Sequence, residues 1–140
     1  MKNIYEVFDE FELATNKKER MEVIGKNLSK TLTEVFLFAY HPEYQWFFKE
    51  IPENYKPKNI PAGMGYLQLS TELRKFYLYR KGDATAEKLT PTKRTQLLLE
   101  FLENLEPREA EVVMGIFNKD LGVKGLNYKF VKEAFPNLLP

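Results

Sequence analysis

Apolar residues in this chain recur at intervals of three and four almost throughout, and no segment alternates apolar with polar long enough to make a half-buried strand. That period lines one stripe of an α-helix, so the chain must bury a series of stripes against one another. Ile4, Val7, Phe8 and Phe11 form the first stripe, and Leu28, Leu32, Val35, Phe36 and Ala39 form another. Prolines and glycines cut the pattern repeatedly, which keeps each helix short. The expected fold is therefore all-α: a single compact domain over residues 1–140, built from seven or eight short helices without internal repeats.

Local punctuation sets the boundaries. Asn16, with Glu19 three residues on, reads as a capping box opening a helix that carries Met21 and Ile24. His41-Pro42 interrupts the third helix, and the aromatic-dense "EYQWFFKEIP" that follows is expected to be a short helix or turn on the core. Residues 52–65, "PENYKPKNIPAGMG", read as one irregular Pro/Gly loop. Ser70 is expected to cap the next helix, which turns Leu73, Phe76 and Tyr77 inward before Gly82 breaks it. Thr90-Pro91 and Glu106-Pro107 both put proline at the first helical position. Their stripes are Leu97, Leu98, Phe101, Leu102 and Leu105, then Val113, Ile116, Phe117 and Leu121. Gly122 suits the left-handed residue that closes a helix. Asn127 then caps a last helix bearing Phe130, Val131 and Phe135, which Pro136 stops.

Composition narrows the class. With 44% hydrophobic residues, 11 Phe and 8 Tyr in 140 positions, the chain can bury a core dominated by large rings. The absence of cysteine removes disulfides and thiolate ligands, and His41, the only histidine, cannot build a His-rich metal site. "MKNIYEVFDEFELA" is acidic and amphipathic rather than basic and then apolar, so it is no secretory leader. No run reaches the roughly 18 apolar residues of a membrane span. A cytoplasmic protein is expected.

The net charge of +1 is not a nucleic-acid signature in itself, but it is segregated along the chain. Residues 1–16 carry one Lys and four acids, residues 17–98 carry 15 basic and nine acidic residues, and residues 112–140 carry four Lys against two acids. Between the last two, residues 99–111 set five Glu against Arg108. Those acids have the spacing of solvated helix faces, or of an acidic surface for a basic protein partner.

Catalytic chemistry is not legible. His41 has no Ser or Cys in a nucleophile setting and directly precedes a proline. No Gly-rich phosphate loop of a nucleotide-binding type occurs. "RKGDA" superficially matches the Lys-x-Asp-Gly motif of nucleotidyl transfer, but Ala84 stands where the glycine belongs. Neither an enzyme nor a cofactor or metal is expected.

Two lysine-bearing elbows are the best physical candidates for a site. In "DLGVKGLN", glycines precede a helix start, and Lys119, Lys124 and Lys129 surround them. A glycine turn there lets an anion approach backbone N–H groups at the positive end of the helix dipole. "RKGDAT" offers Arg80, Lys81, Gly82 and Thr85 in a second such turn. On the residues alone, each elbow reads either as an ordinary helix connection or as a phosphate site.

"NKDLGVKGLNYKFVKEAFPNLLP" resembles the end of the N-terminal helical DNA-binding domain of ATP-dependent DNA ligases, especially the short T-even bacteriophage type. The residues that carry this are Lys119, Asp120, Leu121, Gly122, Lys124, Gly125, Phe135, Pro136, Leu138, Leu139 and Pro140. Upstream, "KKERMEVIGKN", "LTEVFLFAYHPEYQWFFKEIP", "AGMGYLQLSTEL" and "YRKGDATAEKL" resemble further family segments in the same order, covering about residues 15–140. Two positions depart from the pattern. Asp83 stands where the family carries Asn, and Lys119 where it carries Arg, which forfeits a bidentate contact.

The resemblance implies a ligase-type module standing without a nucleotidyltransferase domain. It would grip double-stranded DNA by the sugar–phosphate backbone at the minor groove, reading shape and charge rather than sequence. It also implies that Lys119, Gly122, Lys124, Gly125, Asn127 and Lys129, with Lys81, Gly82 and Thr85, face phosphates. The expected function is a non-enzymatic accessory DNA-binding protein of phage replication or repair type. The alternative is a protein-interaction module that works through residues 99–111 or the aromatic segment around Trp46.

Overall fold

A computed structural model of the protein describes residues 2–61 and 64–140. The described residues form eight α-helices: α1 Ile4–Leu13, α2 Lys17–Lys26, α3 Lys30–Tyr40, α4 Leu69–Glu72, α5 Ala84–Lys88, α6 Pro91–Glu103, α7 Pro107–Phe117 and α8 Tyr128–Ala134. A 3-10 helix, Leu73–Tyr79, continues α4. The protein is all-α, as the periodicity requires, with no strand among the described residues and one antiparallel bridge between Trp46 and Arg80. No helix is long and apolar enough to cross a membrane, again among the described residues.

Helix starts follow the sequence grammar closely. Thr90 accepts the Lys93 N–H at 3.1 Å, and Asn127 accepts the Phe130 N–H at 2.9 Å. Pro91 and Pro107 take the first position of α6 and α7. At α2 only half of the expected box forms. Asn16 accepts the Glu19 N–H, but the Glu19 carboxylate reaches one residue further out, to the Thr15 N–H at 2.8 Å.

α7 is the hub of the fold, packing on α1, α3 and α6, while α8 closes on α3. Phe36, Phe76 and Phe117 are almost fully buried. Phe76 lies 5.6–6.3 Å, centroid to centroid, from the rings of Phe38, Trp46, Tyr79, Phe101 and Phe117. Offset and edge-on ring pairs of this kind each add about 0.5–1.5 kcal/mol to the area they bury.

Several sequence expectations are corrected. Ser70 is not a cap; α4 begins after Gln68, and Ser70 sits inside the helix as an exposed residue. Tyr77 and Leu28 are exposed rather than inward, because the 3-10 winding rotates the first off the α stripe and the second precedes Ser29, the true cap of α3. "EYQWFFKEIP" is not helical. It runs alongside the end of the 3-10 helix, with the Phe47 N–H donating to the Tyr79 carbonyl and the Lys81 N–H to the Gln45 carbonyl. Trp46 is thereby buried rather than offered to a partner. The described part of the loop at 52–65 has no regular structure, and Ala62 and Gly63 lie outside the described residues.

Candidate functional site

The elbow between α7 and α8 begins as a Schellman motif. Asn118 caps α7, the Lys119 N–H donates to the Ile116 carbonyl, and the Asp120 N–H reaches back to the Gly115 carbonyl at 3.0 Å. The left-handed residue that closes the helix is therefore Lys119, with φ 61°, and not Gly122. Gly115 makes the tight return possible. A Cβ there would stand 3.1 Å from the Cα of Leu121. Gly122, three residues beyond Lys119, is also left-handed, and its N–H is taken by the Asp120 carboxylate at 2.9 Å.

This backbone turns the Lys119 side chain inward. Its ammonium donates to the Phe38 carbonyl at 3.0 Å and the His41 carbonyl at 2.7 Å. Both carbonyls belong to the last turn and cap of α3, where helix acceptors lack intrahelical partners and the dipole is negative; the Trp46 Nε1–H and the Tyr44 N–H share them with Lys119. Burial pulls the Lys119 ammonium down to about 8. Lys119 thus closes α3 and is already engaged, whereas Lys124 and Lys129 are exposed.

Tyr40, also on α3, pins the far side of the same elbow. Its hydroxyl donates to the Leu126 carbonyl at 3.2 Å, and burial pushes it up to about 12. Lys119 and Tyr40 together fix the elbow to one helix end, so its exposed lysines project from a rigid base.

The second elbow is filled in a different way. Gly82 is left-handed at φ 90°, but its N–H donates to the Glu87 carboxylate at 2.9 Å. Asp83 caps α5 by accepting from the Thr85 N–H at 2.9 Å and the Ala86 N–H at 3.1 Å. An anion would have to displace two carboxylates to reach those amides. The available group is the exposed Lys81 side chain, together with the Thr85 hydroxyl. Asp83, the departure from the ligase pattern, acts here as a helix cap.

Both elbows pack on residues 38–47. Lys119 bonds carbonyls at one end of that segment, while Lys81 pairs with Gln45 and Arg80 bridges Trp46 at the other. The Arg80 guanidinium also lies over the Tyr44 ring at 4.1 Å. Lys81 and the Lys119–Lys129 elbow, distant in sequence, thus flank a common aromatic support.

The acidic segment is less of a surface than its composition suggests. Glu106 and Glu109 are only 5% exposed. Tyr5 donates a hydrogen bond to Glu106, and the Leu69 N–H, at the start of α4, meets Glu109. Burial raises Glu109 to about 7. Arg108 forms a two-pronged pair with Asp9, both bonds 2.7 Å, and Glu103 accepts the Lys56 N–H at 3.1 Å. Five glutamates at solvated spacing therefore reduce to Glu100 and Glu111 as the exposed acids.

Sequence reading missed two arginines. Arg94 is buried, donating from one nitrogen to the Ala86 and Leu89 carbonyls while its guanidinium lies 3.6 Å from the Phe47 ring centroid. It closes α5 and has no access to a ligand. Arg20, on α2, lies against Gly125 of the first elbow. The only trace of that contact in the sequence is Gly125 itself, whose need for a missing Cβ is invisible until α2 is in place.

The fold and its turns define a small helical domain with two lysine-bearing elbows anchored on one aromatic segment. The chain belongs to a family of unknown function, DUF6433, whose model matches residues 7–123. The match ends inside the first elbow, just before Lys124. A solved structure named Pmar-Lig_PreS3 is similar in fold, with a TM-score of 0.70 at 18% identity over 96% of this chain. The chain spans 31% of that structure's length. No curated protein matches the chain.

Proposed function

We propose that this protein is a non-enzymatic, sequence-independent binder of duplex DNA, gripping the sugar–phosphate backbone at the minor groove through the exposed lysines of the two elbows. The observation that carries this reading is that both elbows are anchored on residues 38–47, by the Lys119 ammonium and the Lys81 N–H, while the side chains of Lys81, Lys124 and Lys129 stay exposed. Paired cationic points on a rigid base suit phosphates, which position a protein without specifying sequence. The resemblance of "NKDLGVKGLNYKFVKEAFPNLLP" to the ligase DNA-binding module supports the same partner, and an accessory role in phage replication or repair within the cytoplasm follows from it.

The phosphate contacts are assigned to the side chains of Lys81, Lys124 and Lys129 and to the backbone around Gly125. Lys119 supports them from behind. An acidic protein-docking face has less in its favour, since Glu106 and Glu109 are buried. The test is fluorescence anisotropy of a labelled duplex with the Lys81→Glu/Lys124→Glu double variant. Affinity should fall by at least tenfold with the thermal melt unchanged. Equal affinity in a folded double variant refutes the assignment.

A further inference from the structure

Arg20 has no acidic partner among the described residues, although lysines around it do. It sits on α2 one turn from Lys17, which pairs with Glu133 of α8, so this end of α2 lies along the α7–α8 elbow. Gly125 receives the guanidinium. It has φ 85°, and a Cβ on it would come within 3.1 Å of Arg20 Cζ, 3.2 Å of Nε and 3.3 Å of Nη1. The guanidinium therefore lies on the bare backbone of the elbow, next to exposed Lys124.

Its hydrogen bonding is incomplete. Arg20 Nε, like Arg94 Nε, is an enclosed donor without a partner, whereas the terminal nitrogens of Arg20 are not enclosed, so they are the donors an anion can reach. Arginine carries five donors in a fixed fork that matches a phosphate bidentately. Arg20 is half-buried, so little of its rotamer freedom is left to lose when an anion arrives.

We infer that Arg20 is a phosphate-binding residue of the DNA interface, its guanidinium held in place by the gap at Gly125 and its outer nitrogens presented beside Lys124. This rests on the duplex-binding reading above and adds a residue that lies outside the elbow sequences. It also assigns Gly125 a purpose: the glycine makes room for the arginine, and the phosphate then meets the arginine rather than the glycine amide alone.

The test compares Arg20→Gln with Lys30→Gln. Both remove one positive charge, but Lys30 is at the opposite end of α3 from the elbow, on a side chain 92% exposed. Binding of a labelled 20-base-pair duplex is measured against salt, with circular-dichroism melts to establish folding. Arg20→Gln should weaken binding about tenfold and reduce the slope of log K against log salt by about one, the signature of one lost phosphate contact. Lys30→Gln should stay within about twofold of the unsubstituted protein, and Arg20→Lys should keep the slope while losing part of the affinity, because charge without the fork is only half of the interaction.

Equal effects of Arg20→Gln and Lys30→Gln overturn the inference and leave duplex binding standing. No binding by the unsubstituted protein at low salt overturns both. Should Arg20→Gln fail to fold, Gly125→Ala supplies the second variant. Its Cβ displaces the guanidinium, and duplex affinity unchanged in folded Gly125→Ala contradicts the proposal equally.

Discussion

Replacing Lys119 with methionine separates the lysine that builds the site from those that would touch a ligand. Methionine keeps most of the apolar stem and removes the ammonium, so the Phe38 and His41 carbonyls lose the charged donor at 3.0 and 2.7 Å and keep only the Trp46 Nε1–H and the Tyr44 N–H, at 3.2 and 3.1 Å. Each charged hydrogen bond contributes about 1.5–3 kcal/mol. Against this, burial lowers Lys119 to about 8, a desolvation cost of roughly 3 kcal/mol at face value, which partial exposure cuts to about half. The net loss is about 2 kcal/mol, or a fall in melting temperature of roughly 4–8 °C for a chain of this size.

The pH dependence has a definite sign. A lysine whose folded value is depressed penalises the folded state while it is protonated in both states. The penalty is relieved as pH rises from about 8 toward the unfolded value of 10.5. Urea midpoints measured from pH 7 to 9.5, below the ordinary tyrosine range, should rise more in the unsubstituted protein than in Lys119→Met. Duplex affinity of the folded variant should stay within about threefold. Unchanged stability, or a loss of affinity matching Lys124→Glu in a folded variant, would refute an inward structural role for this residue.

Other perturbations follow from the same geometry. Glu109→Gln should flatten a decline in stability between about pH 4.5 and 7, because a buried carboxyl raised to about 7 favours the folded state only while protonated; an unaltered pH–stability curve contradicts this. Phe76→Ala should cost about 3–5 kcal/mol in urea denaturation, as it empties the centre of the ring cluster. Asp9→Asn should change stability by less than about 1 kcal/mol, since the Asp9–Arg108 pair is about half exposed despite its geometry.

What the sequence disclosed depended on the range of the interaction. Asn127, Thr90-Pro91 and Glu106-Pro107 are legible because a cap and its donor lie three residues apart. The apolar stripes are legible because helix periodicity is local. Lys119 was not: its partners stand 78 and 81 residues away, and its left-handed backbone belongs to a Schellman turn that a glycine three positions later seemed to claim. Glu106 and Glu109 show solvated-face spacing, yet Tyr5 and the start of α4 cover them, contacts that no local pattern encodes. Tyr77 is misplaced because α4 gives way to a 3-10 winding that shifts the facing residues, and Ser70 because the helix starts after Gln68. Both elbows were found from their glycines and lysines. That they flank one aromatic segment required the fold.

The central claim is duplex binding by the two elbows, and its most direct measurement is an anisotropy titration of an intact duplex at several salt concentrations. Saturable binding is expected, with log affinity falling linearly in log salt at a slope of about −3 to −4, for Lys81, Lys124, Lys129 and Arg20. The Lys81→Glu/Lys124→Glu variant should lose that binding while remaining folded. No binding by the unsubstituted protein at low salt, or binding that ignores salt and the double substitution, would contradict the account.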